Sequence, residues 1–144
     1  MKSRQTDMGY LISIEPGEDI IATLTDFVGN KGIGAGALTL IGAVSVVELG
    51  YYNLTLKQYH WKKFTGMFEI VSAMGNIAWL IDEPIVHLHG VFSDTDFATF
   101  AGHIRSATVS AACEVMLTVH SDRLERKFDE KTGLNLWDCG ATKN

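Results

Sequence analysis

The stretch Glu83-Pro-Ile-Val-His-Leu-His-Gly-Val-Phe92 alternates in the manner of a β-strand. That reading puts His87 and His89 on one face, about 6.5–7 Å apart along the backbone, close enough for two imidazoles to converge on one ion. Gly102-His103 follows and offers a third imidazole from a segment, Ser93 to Ala107, expected to be irregular or briefly helical. Zinc binds imidazole nitrogen at about 2.0–2.1 Å, and a His-x-His pair with a third histidine leaves a fourth tetrahedral position open. The alternative is that these are ordinary half-buried strand histidines, since short patterns recur by chance.

On the N-terminal side, Tyr10 to Ile14 reads as a first strand. Pro16-Gly-Glu-Asp19 then opens a helix with acids in its first turn; Ile20, Ile21, Leu24, Phe27 and Val28 form its apolar face, and Gly29-Asn30 stops it. Almost everything after it is strand-like. Ala35 to Val47 is apolar and β-branched, and Tyr51 to Asn53 with Gln58 to Phe64 reads as a hairpin around a turn at Asn53 to Thr55. Phe68 to Val71, Ile77 to Ile81, Ile85 to Phe92, Cys113 to His120 and Arg126 to Phe128 supply further strands. One good helix among many strands predicts an α+β fold: a single domain over residues 1–144 with a mostly antiparallel sheet.

The chain has 144 residues, 47% hydrophobic and 20% charged, which suits one globular domain. Its net charge of −5 opposes sequence-independent binding to phosphate backbones, although a local basic patch built from Lys57, Lys62, Lys63 and Arg105 would still permit DNA contact. The first ten residues lack the apolar stretch of a secretion signal, and Gly32 to Val47 is too short and glycine-rich to span a bilayer, so the expectation is a cytoplasmic protein with no membrane partner. Cys113 and Cys139 form no metal-type pair and are not expected to be joined. Gly32, Gly34 and Gly36 follow a helix and precede a strand, the reverse of a dinucleotide-binding turn.

Enzymatic use of a metal needs a proton-handling group in reach. The candidates are Glu48, Glu69 and Glu114, each a carboxylate in an apolar strand, where an ion pair is the competing explanation. The segment Tyr59-His60-Trp61-Lys62-Lys63 interleaves aromatic and basic residues; that pattern serves single-stranded nucleic acid or, more commonly, cross-strand packing and subunit contact. His120, beside Ser121-Asp122, reads as a surface residue.

In order and spacing, Gly17-Glu-Asp19, Ile41-Gly-Ala-Val44, Gly66-Met-Phe-Glu-Ile-Val-Ser72, Gly75-Asn-Ile77, Val86-His-Leu-His89, Gly102-His-Ile104 and Cys113-Glu-Val115 resemble the PPC domain family shared by plants and prokaryotes. The resemblance implies a homotrimer with a zinc site on His87, His89 and His103. It extends in fold to acetolactate decarboxylase, a zinc enzyme. Plant members use a Gly-Arg-Phe-Glu-Ile-Leu hexapeptide for contacts with other proteins, and here Met67 replaces the arginine. Plant members reach DNA through an AT-hook, and no Arg-Gly-Arg core occurs in this sequence. The family's prokaryotic label implies a DNA-associated or regulatory role. The other two expectations are a small zinc-dependent lyase or hydrolase acting on an organic acid, and a metal-bearing sensor of a small organic ligand.

Overall fold

The computed structural model describes residues 1–140, so residues 141–144 of the expected 1–144 domain lie outside the described part. The elements are β1 (Lys2–Thr6), β2 (Gly9–Ile14), α1 (Ile20–Lys31), β3 (Ala35–Asn53), β4 (Gln58–Leu80), β5 (Glu83–Ser93), β6 (Thr99–His120), β7 (Glu125–Asp129) and β8 (Leu134–Asp138). The α+β architecture is as expected. The strands form one sheet, antiparallel except for a single parallel contact of Trp79 in β4 with Glu125 in β7.

Sequence breaks do not become structural breaks. Ala35 to Val47 and Tyr51 to Asn53 are one strand, carried through bulges at Leu40/Gly42 and Val44/Val46. The three stretches expected between Gln58 and Ile81 likewise fuse into β4. Ser93 to Ala107 is neither irregular nor helical beyond a tight turn. The Asp94 carboxylate accepts from the N–H groups of Asp96 and Ala98, both at 2.9 Å, and β6 begins at Thr99. Small residues in that stretch conceal a strand that its neighbours impose.

β3 pairs with β4, β4 with β5, β5 with β6, and β6 with β3, so four strands close into a ring at one end of the sheet. Phe92 is fully buried there, stacked on Phe100, which in turn stacks on Phe64 at 4.2 Å. The other end opens, with β2 on β6 and the polar β1 outermost; the exposed polarity of Lys2 to Thr6 left no strand signal to read.

Helix α1 covers one sheet face with Ile20, Leu24, Phe27 and Val28. Its start differs from expectation: no acid lies in the first turn, because Asp19 is the N-cap. One carboxylate oxygen of Asp19 accepts from the Ala22 N–H at 2.9 Å, and the other accepts from the Ala107 N–H of β6 at 2.8 Å. The helix runs past Gly29-Asn30 to Lys31 and stops at Gly32, whose φ of 63° is the left-handed conformation that glycine adopts without strain.

Because Asp19 caps the helix and ties it to β6, Asp19→Ala should destabilise the fold by about 2 kcal/mol, the upper end for a lost cap. Urea unfolding of the purified variant measures this, and a loss within about 0.5 kcal/mol of zero would contradict the double role.

Candidate metal centre

Residues paired directly across neighbouring strands share a sheet face, and register therefore assembles the site. His89 in β5 is paired with Met74 in β4 on one side and His103 in β6 on the other, while His87 is paired with Asn76. All lie on the face opposite α1. The third histidine thus comes from a strand, not a loop, and stands directly across from one of the first two.

The Nε2 atoms of His87 and His89 are 3.2 Å apart, and ligand nitrogens of the three rings lie within 4.8 Å of one another. Two nitrogens each about 2.0–2.1 Å from a tetrahedral ion stand about 3.3 Å apart, so the rings are spaced as ligands of one metal. His103 also keeps Nδ1 buried with no protein partner. The three rings could hold a metal ion, and the donor set of three neutral nitrogens fits zinc.

Burial, followed by the neighbouring histidines and Arg126, pushes the pKa values of His87 and His103 down from 6.5 to about 4. Both rings are therefore neutral at pH 7, the form that binds metal.

An aromatic wall backs His103. Tyr59 stacks on Trp61 at 4.5 Å, and both rings lie against His103, at 5.1 and 5.9 Å. Gly50 makes room for them, since a Cβ there would meet the Trp61 ring at 2.5 Å. Arg105 covers the outer side of Trp61 at 4.9 Å and is paired with Glu48 at 3.4 Å. The hairpin Tyr51 to Phe64 is as expected, with Tyr52 paired to Tyr59, but its turn is Leu54 to Lys57, and its role is to support a histidine.

The hairpin β7–β8 closes the other side. It is tied at its tip, where the Tyr52 hydroxyl donates to the Thr132 carbonyl at 2.7 Å and Lys57 Nζ donates to the Glu130 carbonyl at 2.5 Å. Arg126 reaches inward, donating to Asn76 Oδ1 at 2.9 Å and to the Asn135 carbonyl at 3.0 Å, with Nη2 also 3.4 Å from His87 Nδ1. Trp137 Nε1 donates to the same Asn76 oxygen at 3.3 Å. A cavity of about 230 Å³ lies here, lined by His87, His103, Tyr59, Arg126, Asn135 and aliphatic side chains. Arg126 and Trp137 were invisible as site residues, since each lies more than 20 residues beyond His103 in a segment with no motif of its own; Asn76 sits in the Gly75-Asn-Ile77 motif, but nothing local marked it as a site residue.

The structure does not bring the other candidates to this site. Glu48 is engaged by Arg105, while Glu69 and Glu114 are exposed and line separate cavities, so none of the three joins the histidine cluster. His60 and His120 are exposed and outside it too. Of the basic residues, Lys62 and Lys63 are adjacent on a strand and face opposite ways, Lys57 donates to the Glu130 backbone carbonyl, and Arg105 is paired with Glu48. Cys113 is buried, its thiol pushed up to about 12 by burial, and neither it nor Cys139 is in a disulfide.

A histidine whose pKa is lower folded than unfolded makes the unfolded state bind more protons between those values, so stability falls as pH falls. For metal-free protein the contribution of His87 and His103 is level above pH 6.5 and declines toward pH 4. Chelator-treated protein should lose on the order of 2 kcal/mol between pH 7 and pH 5 by urea titration, a window above the carboxylate range. His103→Ala should flatten the profile, and a flat wild-type profile would contradict the burial argument.

Compared with solved structures, the chain superposes on a protein from Bacteroides thetaiotaomicron, whose DNA-binding description is provisional, with TM-score 0.92 and 31% identity over 95% of this chain and 96% of that one. A metal-containing protein from Archaeoglobus fulgidus matches at 34% identity and TM-score 0.82, over 95% of this chain and 99% of that one. Acetolactate decarboxylase from Bacillus subtilis shares the fold alone, at 15% identity and TM-score 0.54 over 90% of this chain and 59% of that enzyme. Comparison with curated proteins returns no match. Residues 1–121 match the Plants and Prokaryotes Conserved (PCC) domain, and by that match, together with the relatives above 30% identity, this chain belongs to the PCC family.

Proposed function

We propose that this chain is a zinc-binding PCC-domain protein of the cytoplasm that assembles as a homotrimer and uses its three-histidine centre to bind a small ligand. The observation that carries the reading is the convergence of His87, His89 and His103 beside a cavity. The metal-containing relative from Archaeoglobus fulgidus supports it. Bound zinc would act as a Lewis acid with one position open to a ligand. His87, His89 and His103 would hold it, Tyr59 and Trp61 would fix the His103 ring, and the β7–β8 hairpin would limit access of water. Glu48, Glu69 and Glu114 stand away from the centre, which favours ligand binding over the lyase or hydrolase reading.

Assembly is supported by the uncovered sheet face. Leu11, Met116, Thr39, Met74 and His89 form one row across β2, β6, β3, β4 and β5, and Leu11, Met116, Met74 and the neighbouring Ile41 are all exposed. A contiguous apolar surface of this kind suits contact with further copies of the chain. No helix among the described residues is long and apolar enough to cross a membrane.

A DNA-associated role is the second reading, favoured by the description of the Bacteroides thetaiotaomicron relative. It would have to work through scattered lysines against a net charge of −5.

Protein purified without added metal should contain about one zinc per chain by elemental analysis, and His89→Ala should lose it. Absence of metal from the wild-type protein, with no uptake on adding zinc, would refute the reading. Retention on mixed duplex DNA at about 50 mM salt, abolished when Lys62 and Lys63 become Glu, would move the second reading ahead.

Light scattering should report a trimer. Met116→Glu, which places a charge on the apolar face without touching the histidines, should shift the population toward monomer. A wild-type monomer at micromolar concentration would exclude the assembly.

A further inference from the structure

Arg126 is the one site residue whose chemistry the histidines do not explain. Its guanidinium is half-buried, and among the described residues it has no carboxylate partner. It is instead held by neutral acceptors, the Asn76 amide and the Asn135 carbonyl, and its Nε is buried with no hydrogen-bond partner at all. A half-buried guanidinium held only by neutral acceptors keeps its charge uncompensated, which is costly, and its place beside a cavity suits an incoming anion.

The neighbouring histidine indicates what arrives. Arg126 Nη2 lies 3.4 Å from His87 Nδ1. With His87 Nε2 turned to a bound metal, its proton would sit on Nδ1, so that two N–H groups would face each other and neither could accept. An oxygen with spare lone pairs satisfies both. The guanidinium fork matches a carboxylate, and the cavity, about 230 Å³, is otherwise lined mainly by aliphatic side chains such as Leu80, Ile85, Leu134 and Leu136, with Tyr59 and Asn135 among them.

We infer that the centre recognises a short aliphatic carboxylate, with Arg126 as the residue that reads its charge. This rests on the metal-centre reading and adds to it the ligand class. Arg126 lies on β7, beyond residues 1–121 that match the family, so the recognition element is carried by the C-terminal hairpin.

Zinc-loaded protein, with its metal content measured first, is titrated by calorimetry with butyrate and with butanamide, a neutral analogue of nearly the same shape. Butyrate should bind and butanamide should not. Arg126→Gln should weaken butyrate binding about tenfold or more with zinc content unchanged, and Arg126→Lys, which keeps the charge and loses the fork, should weaken it less. The lysine variant also serves if the glutamine variant fails to fold. Equal binding of the two analogues, wild-type affinity in the arginine variants, or no butyrate binding by zinc-loaded protein overturns the inference and leaves the metal reading standing. Protein that takes up no zinc yet binds butyrate in an Arg126-dependent way overturns the metal reading and keeps this one.

Discussion

The antiparallel register between β5 and β6 is the constraint on which this molecule depends. It sets His89 opposite His103 and Gly90 opposite Gly102, and continues to Phe92 opposite Phe100. A slip of one residue would turn His103 toward the core and Gly102 toward the site, because successive side chains alternate between faces. The same few pairs close the ring of β3, β4, β5 and β6. The buried aromatic packing at that closed end therefore holds the register on which the histidine cluster relies.

The two faces of the sheet are used differently. One buries the apolar residues of the strands beneath α1, clamped at its start by Asp19. The other carries the histidines, their aromatic wall and the exposed row from Leu11 to Met74. A broader cavity, about 650 Å³, opens on that second face around Leu11, Ile41 and Met116, away from the histidines. Its breadth and apolar character suit subunit contact, whereas the smaller cleft beside Arg126 adjoins the histidines. Met74 and His89 are cross-strand neighbours, so the histidine cluster borders the face through which copies of the chain would meet.

The C-terminal hairpin changes what the centre can do. Without β7 and β8 the histidines would lie on an open sheet. With them, Arg126 is drawn against His87, Asn76 binds both Arg126 and Trp137, and the tip is tied to Tyr52 and Lys57. Both terminal nitrogens of Arg126 and the Trp137 indole N–H are thereby paired, and the cleft gains an aliphatic lining.

Periodicity and local chemistry settled much of this protein before any coordinates: the α1 face from Ile20 to Val28, the common orientation of His87 and His89, the Tyr51 to Phe64 hairpin and the α+β class all follow from side-chain spacing of 3.6 or 2 residues. The ordered motifs from Gly17 to Val115 carried the family. Tertiary structure decided the rest. Long strands run through positions that look like breaks, since a partner on each side supplies the hydrogen bonds that weak propensity does not. Glu48 was assigned to an ion pair by the position of Arg105, a residue 57 positions away. His103 is brought across from His89 by strand pairing, and Arg126 by a hairpin docked against β4. Neither juxtaposition leaves a local signal, because the groups that meet are distant in sequence and only the register of the sheet makes them neighbours.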